Sequence, residues 1–261
     1  MYLAKYLLDI TEFTDAENGE ALLARAFLHI DAERKRKALG IRPGKARAAS
    51  VGAGLLLQAA VRDGDREACS QWRRYSVNEL TDVLQEKPPL ELAYVYGREG
   101  KPYFRDLPFY FNLSHSGDYV LCVVSAAEIG ADIQQHRRRE GGKGKAEERS
   151  GGSEQNAFRD NSPILERLAS RFFTERECDA LNRAGAEREQ LFFRLWARKE
   201  AYGKLTGKGV TGVLGMDMLP ETGQEEDKLL SGEGEFSRKR GISWEEYSGI
   251  EGYSISLCHY G

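Results

Sequence analysis

Apolar positions recur in two rhythms along the chain, and each predicts a different element. Tyr2 to Ile10 is a short, nearly continuous apolar run of strand length. From Asn18 to Leu39 the period becomes helical, with Ala21, Leu22, Arg25 and Leu28 in the pattern, and Ile41-Arg42-Pro43-Gly44 punctuates its end. Lys45 to Arg62 repeats the helical spacing through Ala48, Val51, Leu55 and Ala59. Gly52 and Gly54 weaken that helix, each costing roughly 1 kcal/mol relative to alanine, and so point to close packing against a neighbour or a ligand. Strand-like runs follow at Leu90–Tyr96, Phe109–Leu113, Tyr119–Ser125 and Ile129–Ile133, separated by glycine- and proline-bearing turns. Helical patterning returns at Ile164–Phe173. Thr174 and Glu177 form a T-x-x-E capping box that opens a helix running to about Gly185. Glu189–Leu205 carries the strongest helical pattern, and strands are expected at Val210–Leu219, Lys228–Ser231 and Gly252–His259. Strands and helices mix without strict β-α-β alternation, so the fold class is α+β.

One stretch breaks both rhythms. His136 to Ser162 has one aromatic residue, no aliphatic side chain larger than alanine, and many Gly, Ser, Glu and Arg. Such a segment buries too little apolar surface to offset its ordering entropy, and it reads as a long mobile insertion. Elsewhere the composition, 41% hydrophobic and 30% charged in 261 residues, describes an ordinary globular chain with enough length for a core. No run approaches the roughly 20 apolar residues of a membrane span, and Met1–Phe13 lacks a small-residue cleavage site, so a cytoplasmic protein is expected. The four cysteines are far apart, without metal or redox spacing. A net charge of −3 predicts no general affinity for nucleic acid. Arg34 to Arg47 is the exception, with seven cations and no acid. It is either a solvated helix face or an edge that attracts phosphates.

Three constellations could carry chemistry. In Phe111-Asn112-Leu113-Ser114-His115-Ser116-Gly117-Asp118 an apolar strand runs into a polar turn whose hydroxyls, imidazole and amides could bind an anion or merely cap backbone groups. Ser114 and His115 are a poor nucleophile–base pair, because neighbours on extended chain face opposite ways. In Ile129-Gly130-Ala131-Asp132-Ile133-Gln134, alternation puts Asp132 and Gln134 on one face. A carboxylate in an apolar strand needs a partner, whether a hard cation or an arginine. In Trp196-Ala197-Arg198-Lys199-Glu200-Ala201-Tyr202-Gly203-Lys204, helical spacing puts Trp196, Glu200 and Lys204 on one face. There Glu200 is either half of a surface pair or, if partly buried, a metal ligand or base.

The order Lys101-Pro102-Tyr103, FNLSHSG, IGADI, WARKEAYGKLTGKG resembles the Sfp-type phosphopantetheinyl transferase family, in its W-KEA branch, from about Ala32 to Gly209 outside the insertion. The resemblance implies a pseudo-dimer of two similar α+β halves, residues 1–126 and 127–261, with the active site in the cleft between them and the insertion at 136–162 in the second. It implies transfer of the 4′-phosphopantetheine arm of coenzyme A to a serine of an apo acyl-, peptidyl- or polyketide carrier protein, by a monomer. Arg34, Lys37, Ser50, Lys101, Ser114, His115, Lys199 and Lys204 are then expected to bind CoA. Asp132, Gln134 and Glu200 are expected to hold Mg²⁺, with Mn²⁺ an alternative. Glu200 is the implied base, and Lys204 the implied stabiliser of the departing phosphate. Gln134 departs from the family pattern, in which many members carry a glutamate. It raises the alternative of a relative that binds CoA or a carrier without transfer.

Overall fold

A computed structural model describes residues 3–63, 71–136, 162–220, 235–239 and 241–260. The insertion expected at 136–162 lies, apart from its two ends, outside the described residues, as do Cys69 and the strand expected at Lys228–Ser231. Helices and strands are mixed as expected for α+β.

The first sheet has the order β2-β1-β6-β5, built from β1 (Leu3–Asp9), β2 (Trp72–Ser76), β5 (Tyr110–Ser116) and β6 (Tyr119–Ser125). β2 lies parallel to β1, and the other pairs are antiparallel. The second sheet has the order β7-β10-β9-β8, from β7 (Ile129–Gln135), β8 (Glu235–Lys239), β9 (Ile242–Tyr247) and β10 (Tyr253–Tyr260), all antiparallel. A short ribbon pairs β3 (Tyr94–Tyr96) with β4 (Pro102–Phe104).

Strand alternation sorts the side chains into layers. Tyr6, Leu8, Val120, Cys122 and Val124 face one way and pack with α3 (Lys45–Arg62). Leu7, Leu121 and Val123 face the other way and join Ile129, Ala131, Ile133, Ile255 and Leu257 of the second sheet in a cluster between the sheets. The opposite face of the second sheet carries α7 (Arg188–Thr206). The glycines that weaken α3 are explained by this packing. A Cβ on Gly52 would sit 3.0 Å from the Leu8 side chain, and one on Gly54 only 2.7 Å from Ile30.

The expected helix over Asn18–Leu39 is two helices, α1 (Gly19–Leu28) and α2 (Ala32–Leu39). Asp31 breaks them by accepting from the Arg34 amide at 2.9 Å as an N-cap. Leu90–Tyr96 is strand only from Tyr94, because Gln58 satisfies both backbone groups of Leu90. Four strands and one α-helix had no sequence expectation: β2, β4, β8, β9, and α4 (Val77–Leu84), which Ser76 and Glu79 open with a second capping box. In the second part α5 (Ser162–Phe172) and α6 (Glu175–Arg183) precede α7, and the Thr174–Glu177 capping box is formed. The strand expected at Val210–Leu219 is instead a 3₁₀ turn, Val210–Val213, followed by unpaired chain. Side chains rather than a neighbouring strand hold that segment. Lys199 donates to the Met216 carbonyl at 2.5 Å, Arg198 donates to that of Met218 at 2.6 Å, and Glu177 accepts from the Met218 amide at 2.8 Å. Among the described residues no helix is long and apolar enough to cross a membrane.

Candidate active site

A groove of about 440 Å³ runs between the N-terminal ends of α2 and α3 on one side and the C-terminal end of α7 on the other, with β5 beneath it. Seven of the residues singled out in the sequence line it: Arg34, Lys37, Ser50, Lys101, Ser114, His115 and Lys204. The Asp31 cap starts α2 so that Arg34 and Lys37, one turn apart, both reach the groove. Arg34 lies against the Tyr94 ring, 5.7 Å from its centre. Lys37 has its pKa lowered, by partial burial first and then by Arg34. Two other cations of the basic run are used otherwise. Lys45 pairs with Asp118 at 2.6 Å, and Arg47 donates to the Ile41 carbonyl at 2.8 Å. Ser50 is 7% exposed, and its Oγ has no hydrogen-bond partner among the described residues. A buried hydroxyl facing a groove without a partner is a group waiting for one.

Gly130 brings the two sides of the site together. A Cβ there would lie 1.9 Å from the Ala201 carbonyl oxygen and 2.6 Å from the Leu205 amide, so only glycine lets α7 rest directly on β7. That contact sets Lys204 on Asp132: Nζ donates to Oδ1 at 2.6 Å and to the Ala131 carbonyl at 3.2 Å. Asp132, 2% exposed, also accepts from Ser114 Oγ on Oδ1 at 2.6 Å and from Gln134 Nε2 on Oδ2 at 2.7 Å. The partner required by this buried carboxylate is therefore a lysine, a serine and an amide. Glu200, one turn before Lys204, has its pKa raised by burial and then by the charge of Asp132, with Lys204 acting in the opposite sense. The two carboxylates thus feel each other's charge; neither lines the groove itself, which is reached by Lys204 and Ser114, the partners of Asp132. Beyond Lys204, α7 ends at Gly207 (φ +74°), and Gly209 (φ +65°) turns the chain back so that its amide donates to the Gly203 carbonyl at 3.1 Å. Both terminal glycines and Gly203 line the groove; all three lie in the WARKEAYGKLTGKG motif, where no role was expected of them.

Three expectations need revision. Lys199 does not face the groove. It is fully buried on the other side of α7, paired with Glu177 at 2.9 Å and lying 5.5 Å from the centre of the Phe173 ring. One residue of helix turns it about 100° from Glu200. Ser114, His115 and Ser116 are not in a turn: β5 continues through Ser116, and the turn begins at Gly117 (φ +56°). Lys101 lines the groove, but its Nζ donates to the Leu205 carbonyl at 2.9 Å and stands 3.8 Å from Glu128, so it also ties β4 to the end of α7. Its pKa is lowered, chiefly by burial. His115 opens to solvent. Enclosure on its cleft side, then Lys204, lowers its pKa, while Asp132 pulls the other way.

A cation-lined groove whose Lys204 and Ser114 are bonded to the buried Asp132 suits a polyphosphate anion with a hard metal ion beside it. The family described as the 4′-phosphopantetheinyl transferase superfamily matches residues 128–258, half of the chain. Over 137 residues the chain is 38% identical to the 4′-phosphopantetheinyl transferase psf-1 of Bacillus pumilus, covering 52% of this chain and 48% of psf-1. It is 32% identical to the 4′-phosphopantetheinyl transferase Sfp of Bacillus subtilis over 114 residues, 43% of this chain and 40% of Sfp. It is 34% identical to the 4′-phosphopantetheinyl transferase HetI of Nostoc sp. over 128 residues, 47% of this chain and 44% of HetI. The chain belongs to the 4′-phosphopantetheinyl transferase superfamily, and these relatives place it with the Sfp type. It spans about half the length of the curated relatives it matches.

Proposed function

We propose that this chain transfers the 4′-phosphopantetheine arm of coenzyme A to a serine of an apo acyl-, peptidyl- or polyketide carrier protein and releases 3′,5′-ADP. The observation that carries the reading is the meeting of Asp132, Glu200 and Lys204 beside a groove lined by Arg34, Lys37, Lys101 and His115. We read the molecule as two similar α+β halves, 1–126 and 127–261, each a sheet backed by one long helix, with the groove between them. It acts as a monomer in the cytoplasm.

Among the described residues no cluster of three or more His, Cys, Asp or Glu forms a metal site. The donor set nevertheless fits a hard cation. Asp132 and Glu200 are two carboxylates close enough for one to raise the pKa of the other, a repulsion that a cation relieves. Asp132 and Glu200, with the carbonyl oxygen of Gln134, would hold Mg²⁺ or Mn²⁺. Gln134 now turns its amide nitrogen to Asp132, and half a turn of that amide presents the oxygen instead. Bound there, the ion would neutralise charge on the diphosphate.

The chain's own groups supply the remainder. Arg34, Lys37 and the unpartnered Ser50 Oγ hold the 3′-phosphoadenosine end, and Lys101, Ser114 and His115 face the diphosphate. Glu200, whose burial favours taking a proton, accepts it from the carrier serine. The serine oxygen bonds to the phosphorus next to pantetheine as the bond from that phosphorus to the bridging oxygen breaks. Lys204 stabilises the charge left on the departing phosphate.

Mass spectrometry of an apo acyl-carrier protein incubated with the chain, CoA and Mg²⁺ tests this. A gain of one phosphopantetheine arm, lost with EDTA, is expected. CoA binding with no gain on several carriers would overturn it in favour of a binding relative without transfer, the reading favoured by Gln134, whose amide nitrogen stands where a carboxylate would bring charge.

A further inference from the structure

β5 and β7 belong to different sheets and share no backbone ladder among the described residues. The β7 amides on that edge are donors, buried at Ala131 and Ile133 and part-buried at Gln135, and buried donors need acceptors. Side chains of β5 supply them at every second residue. Asn112 Oδ1 accepts from the Ala131 amide at 3.2 Å, Ser114 Oγ from Ile133 at 3.4 Å, and Ser116 Oγ from Gln135 at 3.0 Å. Each rung joins residues 19 apart, so the strands run in the same direction in fixed register. The segment's end is fitted just as closely. A Cβ on Gly117 would lie 2.2 Å from Gln135 Oε1 and 2.4 Å from the Tyr253 hydroxyl, and the Asp118 amide donates to that hydroxyl at 3.0 Å. Of the Ser-His-Ser trio only His115, on the opposite face of the strand, is left without a partner of this kind.

We infer that Asn112, Ser114 and Ser116 form a side-chain ladder that joins the two sheets in place of backbone pairing, and that Ser114 is the positioning residue of Asp132. Its hydroxyl accepts from the Ile133 amide and donates to Asp132 Oδ1 at 2.6 Å, which fixes the carboxylate relative to the first sheet. A side chain between two backbones also holds them farther apart than the roughly 4.8 Å of a paired ladder. The strands are thus joined and kept separate by the same atoms. The Asp132 role rests on the transferase reading; the ladder does not.

Amide hydrogen exchange on the full chain tests the ladder. Asn112→Ala, Ser114→Ala and Ser116→Ala should each speed exchange roughly tenfold, the worth of about one net hydrogen bond, at Ala131, Ile133 and Gln135 respectively. Asp132 and Gln134, the alternate residues of β7, should keep their rates. Asn112→Asp and Ser114→Thr retain an acceptor and should restore protection. Unchanged rates at the matched amides, or a uniform rise along β7, would overturn the ladder. Should Ser114→Ala not fold, Ser116→Ala and the Asn112 pair of variants decide it. Calorimetric Mn²⁺ binding tests the positioning role without needing transfer. Ser114→Ala should weaken it roughly tenfold, Ser114→Thr should recover it, and Ser116→Ala should leave it unchanged. Equal binding by Ser114→Ala and the natural chain, or no binding by the natural chain, would overturn that role. Failure of arm transfer alone would count against the enzyme reading and leave both results standing.

Discussion

Replacing Gly130 with alanine puts a methyl group where the backbone of α7 already lies. The added carbon would sit 1.9 Å from the Ala201 oxygen and 2.9 Å from Leu205 Cβ, whereas ordinary contact begins near 3.4 Å. Backbone atoms cannot rotate aside as a flexible side chain would, so α7 must move outward until the Ala201 oxygen clears the new methyl. Lys204 rides on that turn and reaches Asp132 at 2.6 Å. Opening the contact from 1.9 Å to 3.4 Å displaces the helix far enough to take Lys204 out of hydrogen-bonding range. Overpacking of this kind costs about 1–3 kcal/mol of stability. A misplacement of about 1 Å at a reacting centre costs on the order of 100-fold in rate. The assay is transfer to apo carrier protein under saturating CoA, at a temperature at least 15 degrees or so below the variant's melting midpoint, so that lost rate is not lost fold. Gly130→Ala is expected to lower kcat by about 100-fold. A rate within twofold of the natural chain, with melting unchanged, would refute the argument that the close approach of α7 to β7 assembles the site.

Further outcomes follow from other contacts. Glu200→Gln should lower transfer by roughly 100- to 10,000-fold while changing CoA affinity far less; equal loss of both, by calorimetry and kinetics, would assign Glu200 a structural role. Lys199→Met leaves Glu177 buried without its cation. It should destabilise the fold by about 3–5 kcal/mol in denaturant melts, with CoA affinity retained. Loss of CoA binding in a folded Lys199→Met protein would return that lysine to the groove. In native thiol labelling, Cys122 and Cys258 should stay unmodified, because burial raises both pKa values, that of Cys122 to about 12. The half-buried Cys178 should react first of the three, and a reversed order on peptide mapping would contradict the packing.

The elements easiest to read were those whose apolar period is clean. The 18 residues of α3 and the strand at Tyr119–Ser125 fall where the pattern puts them. What was hidden was hidden by charge. β9 carries Glu245 and Glu246, which look solvent-facing until Lys5 and Arg198 are found against them. β2 carries Arg73 and Arg74, held by Asp63 and Tyr247. Partners distant in sequence turn such residues inward, and a local period cannot show them. The Ser76–Glu79 capping box is different: it has the same signature as Thr174–Glu177 and was legible. At the site, spacing correctly put Glu200 and Lys204 on one face of a helix. It could not assign Lys199, because whether a lysine next to that face meets solvent or Glu177 depends on α6. Nor could alternation along β5 reveal that its polar residues serve a strand of the other sheet.

The junction between the sheets has a consequence for how the chain can be divided. Lys101 satisfies the Leu205 carbonyl, Lys5 meets Glu245, and the β7 amides depend on β5, so each side carries polar groups whose partners lie on the other. The chain crosses from β6 to β7 through residues 126–128 alone. Fragments made by cutting there would each expose unpaired donors and acceptors beside the apolar cluster of Leu7, Leu121, Ile129 and Ile255. Neither should be stable when expressed alone, and the two should be recovered only when made together. That would make the cut chain a reporter of its own reassembly.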